Sequence, residues 1–173
     1  MEFMAGKEYL GMIVAELYED IVPLTVKNFM FFCQNGNNQE KRKPRKDDKE
    51  KILTYTGCPV HRIVPNYYMQ SGDVLAHNGS DGKSIYGPVF DDENFILKHS
   101  KPGVISMANR GPNTNNSQFM ITFRKLETLN GVHVVLGRVI QGLDTLLKVE
   151  DFGTSTGRPR AKVIILKCGI LQK

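Results

Sequence analysis

Apolar residues in this chain come in short runs, and glycine or asparagine breaks nearly every one of them. Sixteen glycines are spread along 173 residues, which suits many tight turns between short strands. Runs of four to eight residues bounded by such breakers read as strands. Candidates lie at 52–55, 60–63, 67–72, 104–107, 119–122 and 134–139. Residues 7–18 alternate loosely, with Met12, Val14 and Glu16 opposite Ile13, Ala15 and Leu17, and read as a strand. Residues 162–168 form a closing strand. Two segments have helical spacing instead. Val22-Pro23 opens the first, because proline is tolerated where its missing N–H would be unpaired anyway. Val26, Phe29, Met30 and Cys33 then form a stripe for burial, and Asn35-Gly36 is the expected stop. The second helix covers 143–149. Many short strands with two helices predict a mainly β fold, a barrel with helical lids.

The length fits one domain, 1–173, able to bury a core without staples. No long apolar run marks a transmembrane helix. The start, MEFMAGKEYLG, lacks the basic flank and apolar stretch of a secretory signal. Cys33, Cys58 and Cys168 are odd in number, form no CxxC, and have apolar neighbours. They read as small buried hydrophobes in a reducing compartment. The net charge is +5, but residues 39–51 hold seven basic and four acidic residues and so carry most of it. A nucleic-acid interface has little support, because no basic stripe with interleaved aromatics runs through the rest. Residues 37–51 are polar and charged and predict an exposed loop inserted within the domain. Within it KRKPRK, residues 41–46, has the composition of a nuclear-import signal, a solvated loop or a docking element for an acidic partner.

Chemistry concentrates in two stretches, HRIVPNYYMQSGD at 61–73 and SMANRGPNTNNSQFMIT at 106–122. The first sets Arg62 and Gln70 around Tyr67 and Tyr68. The second sets Asn109, Asn113, Asn115, Asn116 and Gln118 against an apolar run. Guanidinium, amides and aromatic surface suit a site for a peptide carbonyl and an apolar ring. Each residue also has an ordinary reading: Arg62 as a surface ion-pair former, the tyrosines as half-buried strand residues, Met120 as core filler, and GPNTNN as a turn. His61, His77 and His99 share no metal-ligand spacing with each other or with the cysteines, so no metal and no cofactor are assigned. The glycines at 79, 82 and 87 lack the strand-to-helix context of a phosphate loop.

These stretches resemble the cyclophilins. So do GKSIYG at 82–87, FDDENF at 90–95, the Lys98-His99 pair, NGVHVVLGRVIQG at 130–142 and the terminal KCGIL. The resemblance runs from about residue 10 to residue 171. It implies a closed antiparallel eight-stranded β-barrel capped by two α-helices. It implies peptidyl-prolyl cis-trans isomerisation of X–Pro bonds in peptides and proteins, assisting folding or conformational switching, by a monomer without a cofactor. Carried over by position, Arg62, Gln70 and Asn109 are the catalytic set. Tyr67, Tyr68, Met120, Leu129 and His133 border the proline site, with Phe119 adjacent.

Five positions depart from the family's usual pattern. Tyr67 stands for phenylalanine, Tyr68 for methionine, Met120 for phenylalanine and Thr128 for tryptophan, and the chain has no tryptophan. Arg110 replaces a small residue beside a side pocket, where a long cation either closes the pocket or favours acidic side chains. Without the indole at Thr128, weak or no binding of cyclosporin is expected. The altered pocket keeps a second reading open, a catalytically weak proline-peptide binding module or scaffold. A cytoplasmic or nuclear location is expected.

Overall fold

A computed structural model describes residues 1–41 and 52–171. The basic run and most of the charged insertion lie outside the described residues. Nine strands and two helices alternate: β1 (Glu2–Ala5), β2 (Glu8–Met12), β3 (Val14–Leu17), α1 (Pro23–Lys41), β4 (Arg62–Val64), β5 (Tyr68–Ser71), β6 (Val104–Met107), β7 (Phe119–Thr122), β8 (Val135–Gln141), α2 (Leu143–Glu150) and β9 (Val163–Lys167). All pairings are antiparallel and build two sheets, β2-β1-β9 and β3-β8-β6-β7-β5-β4.

The fold is mainly β, but neither ladder closes on itself as a single eight-stranded barrel. The two sheets meet where regular pairing lapses. The segment before β4 bonds β9 through Val60 N–H to Val163 C=O and Ile165 N–H to Cys58 C=O. At the opposite seam β2 runs into β3 around Ile13, whose N–H donates to Met1 C=O. The single strand expected over 7–18 is therefore two strands in different sheets, and β1 was not foreseen.

Two further expectations fail for stated reasons. Helix α1 continues past Asn35-Gly36 to Lys41, so 37–41 is helix and not loop. A glycine inside a helix costs only about 1 kcal/mol relative to alanine, and the Asn35 amide is used sideways, donating to Leu53 C=O. Residues 52–55 are not a strand, because their bonds go to the helix: Tyr55 N–H and the Thr54 hydroxyl both donate to Phe32 C=O.

The interior is filled from both sides of the chain. Val22, Val26, Phe29, Phe32 and Cys33 of the first helical region are buried. Phe29, Tyr55 and Phe119 form an edge-packed aromatic cluster with centroids 5.0–5.1 Å apart. Glu93 caps α1 from outside, accepting the Leu24 and Thr25 N–H groups at 3.0 and 2.8 Å, which satisfies donors the helix cannot. All three cysteines are buried and none forms a disulfide. No helix among the described residues is long and apolar enough to cross a membrane.

Candidate active site

Strands β4, β5, β7 and β6 lie side by side. Their register sets Arg62 opposite Gln70, Gln70 opposite Met120, and Met120 opposite Ser106. Directly opposed residues share a face, so these four form one row. The neighbouring row is Ile63, Met69, Ile121 and Ile105, all fully buried in the main core. The same strands thus give one face to the core and the other to the site. Met120 is only 2 % exposed despite lying on the outer face. Ala108, Leu126 and Leu129 cover it, with Tyr67 and Tyr68 packed alongside, as an apolar cluster separate from the main core.

One wall of this site is polar. Asp73 is buried, and its carboxylate accepts the backbone N–H groups of Leu75, Ala76, Asn78, Gly79 and Asp81 at 2.8–3.3 Å. Burial works to raise the pKa of this carboxyl, but the donors outweigh it and hold it below the usual value. The loop wound on Asp73 is joined to the sheet by Gln118, whose amide nitrogen donates to Gly79 and Asp81 C=O. Gln70 in turn donates to Gln118 Oε1 at 2.7 Å, which leaves the Gln70 carbonyl oxygen open. A cleft of about 40 Å³ remains between Gln70, Ala108, Asn109, Thr114 and Gln118. Arg110 bridges its mouth, donating from Nη2 to Gly79 and Ser80 C=O.

The facing wall is apolar. A single 3-10 turn, Glu127–Leu129, follows Leu126 and presents Leu126 and Leu129 to Met120. His133 lies half-buried just beyond it and donates from Nδ1 to Met107 C=O at 2.9 Å. Because a carbonyl only accepts, the proton sits on Nδ1 and Nε2 is left open. Burial lowers the His133 pKa. The Asn109 amide donates to Val132 C=O and accepts from Gly111 N–H, so it ties the strand end to the turn. The backbone N–H and C=O of Asn109 have no partner among the described residues. Thr128, the middle residue of the turn, is exposed.

Arg62 is exposed, and its guanidinium has no hydrogen bond or ion pair among the described residues. It lies along Gly157, where an added Cβ would meet Arg62 Nη1 at 3.0 Å, and the φ of +84° there also favours glycine. Its five donors are therefore unspent, on a residue in register with Gln70 and Met120. Tyr67 and Tyr68 are half-buried, tilted against each other with centroids 4.7 Å apart, and neither hydroxyl is buried without a partner.

Arg62, Gln70, Tyr67, Tyr68, Met120 and Leu129 are brought together, with Asn109, Arg110 and His133 at the edges. Phe119 is not part of the site. Strand alternation points it inward, fully buried against Phe29 and Tyr55. Leu126 and Ala108 complete the site and carry no role in the sequence reading, while Gln118, one of the amides expected there, holds the loop and Gln70. The Leu126–Leu129 spacing of three was the available signal for the turn. What the row offers is fixed donors, an amide acceptor and an apolar hollow. Among the described residues no three His, Cys, Asp or Glu side chains gather as metal ligands.

That chemistry is non-covalent handling of a peptide bond next to an apolar ring. A family model described as cyclophilin type peptidyl-prolyl cis-trans isomerase/CLD matches residues 1–170. With the match spanning almost the entire chain and the site built as above, the protein belongs to the cyclophilin-type peptidyl-prolyl cis-trans isomerases.

Proposed function

We propose that the protein accelerates X–Pro rotation through Arg62, with the proline ring seated on Met120, Leu126, Leu129 and the two tyrosines. Amide resonance opposes rotation by about 18–20 kcal/mol in an ordinary peptide bond, and uncatalysed X–Pro exchange takes roughly tens to hundreds of seconds. No bond breaks, so neither nucleophile nor general acid is required. In the twisted state the proline nitrogen turns pyramidal and gains a lone pair. A fixed donor aimed at it is worth more there than in either ground state, which is the condition for catalysis. Arg62 supplies a permanent charge and a rigid fork of donors. Gln70, held by Gln118, and the open backbone groups of Asn109 grip the flanking peptide.

The observation that carries this reading is the uncommitted Arg62 guanidinium in one row with Gln70 and Met120. Its test is exchange spectroscopy on an X–Pro peptide, with and without Arg62→Ala. The parent should accelerate exchange, and the variant should lose about 10²–10³-fold, the usual cost of one preorganised donor. Peptide shifts without acceleration would favour the second reading, a binding module with little turnover. That reading is supported by the Arg110 bridge and by methionine at the pocket floor.

We further infer that the two sheets wrap as one barrel with two irregular seams, in a single monomeric domain. Thr128, exposed and lacking an indole N–H, supports weak cyclosporin binding. A cytoplasmic or nuclear site of action rests on the basic run at 41–46, and a reporter fusion of 37–52 that stays cytoplasmic would argue against import.

A further inference from the structure

The apolar wall hangs on an interaction that the catalytic reading does not use. His99 is fully buried. Its backbone N–H and its ring Nδ1 both converge on Asn130 Oδ1, at 2.8 and 3.0 Å. Its carbonyl accepts the Leu126 N–H at 2.9 Å. Two contacts from one residue therefore grip the start and the end of the turn that carries Leu126 and Leu129. The amide oxygen only accepts, so the ring proton lies on Nδ1. The other ring nitrogen, Nε2, is buried and has no hydrogen-bond partner.

We propose that His99 and Asn130 are a positioning pair that sets the apolar wall of the proline pocket, and that protonation of His99 releases that wall. The neutral ring meets the site's demands with one donor, on Asn130, and one buried nitrogen without a partner. The imidazolium adds an N–H and a charge where no acceptor waits, and a buried unmatched donor is costly. The other titratable groups facing the ring are His133 beyond the turn and Lys98 on its own loop, and both disfavour the charged form. Burial is the larger cause and acts in the same direction. The inference rests on the proline-pocket reading for its functional consequence, but the motion of the turn is observable without it.

The test joins methyl NMR of Leu126 and Leu129, followed from about pH 8 to about pH 5, with KM for an X–Pro peptide. The leucine methyl shifts should follow the His99 ring titration, and KM should rise as that titration proceeds. Asn130→Asp keeps the acceptor but favours the imidazolium, so the midpoint of the methyl shifts and of the rise in KM should move to higher pH. Asn130→Ala should raise KM about tenfold at neutral pH, as expected for disturbing a small part of an apolar pocket, with a smaller change in kcat. Methyl groups that stay still while His99 titrates would overturn the proposal. So would a midpoint that Asn130→Asp leaves in place, which would assign the acid limb to His133. If Asn130→Ala does not fold, the Asn130→Asp midpoint decides. A parent that accelerates no peptide sinks the catalytic reading, and the methyl titration still judges the positioning pair.

Discussion

The two walls of the site are held in different ways. The polar wall is a loop wound on one buried carboxylate with five backbone donors, then joined to the sheet through Gln118 and Arg110. The apolar wall is one short turn, seated by side-chain packing and pinned at His99 and Asn130. A wall fixed by many short hydrogen bonds resists displacement in every direction. A wall fixed by apolar contact and a few bonds at its two ends, from His99 and from the Asn109 amide, can shift as a unit. If a peptide binds as proposed, its backbone meets the rigid frame and its proline ring the more yielding one.

Removing the centre of the rigid wall should cost most. Asp73→Ala strips the acceptor from five N–H groups at once and is expected to lower stability by about 3 kcal/mol or more, read by urea denaturation. Asp73→Asn, which keeps one acceptor oxygen, should fall between. The folded carboxyl titrates below its ordinary value of 3.8. The unfolded chain therefore binds the proton first, and the stabilisation is complete above that value and is lost as pH falls below it. A parent whose stability does not drop on acidification through this range, or an alanine variant of parental stability, would show that the loop holds its shape without the carboxylate.

Truncating the yielding wall should trade less stability for more function. Leu126→Ala opens a cavity beside Met120 at a cost of about 2 kcal/mol, the low end for leucine because the cluster lies outside the main core. Its larger signature should be a rise in KM for X–Pro peptides, with the acceleration by Arg62 retained at saturation. An unchanged KM would mean that the proline ring does not rest on this turn.

How far each wall was legible in sequence follows from what builds it. Strands β6 and β7 match the apolar runs at 104–107 and 119–122 because both are buried on both faces and bounded by turn residues. Arg62, Gln70, Tyr67 and Tyr68 came from one continuous stretch, and the pairing of β4 with β5 keeps them together. Phe119 was misplaced because adjacency in sequence is opposition across a strand: its neighbour Met120 faces the pocket, so it faces the core. The 52–55 segment was read as a strand from its composition, yet its hydrogen bonds go to a helix carbonyl that no local pattern announces. Asp73 and Leu126 act through backbone groups or partners far along the chain, which leave no mark in residue type.

The smallest expected effect concerns the join between the rigid wall and its cleft. Arg110 spans the cleft mouth by donating to two neutral carbonyls, Gly79 and Ser80. With the bridge in place the cleft of about 40 Å³ has room for little more than one water or a methyl group. A substrate side chain directed there must be small, or must displace the guanidinium. Peptides differing only in alanine or phenylalanine next to the X–Pro unit should therefore differ in kcat/KM, with alanine preferred. Arg110→Ala should shift that ratio toward phenylalanine by about tenfold. Arg110→Lys should shift it partly, since a single ammonium does not reproduce the planar fork. If glutamate proves the preferred neighbour and Arg110→Ala abolishes that preference, the arginine reads charge and the bridge opens for the ligand, because a carboxylate is a stronger acceptor than the two carbonyls it replaces. The polar wall would then be rigid only up to Arg110, and the boundary between its fixed and yielding parts would lie at this side chain.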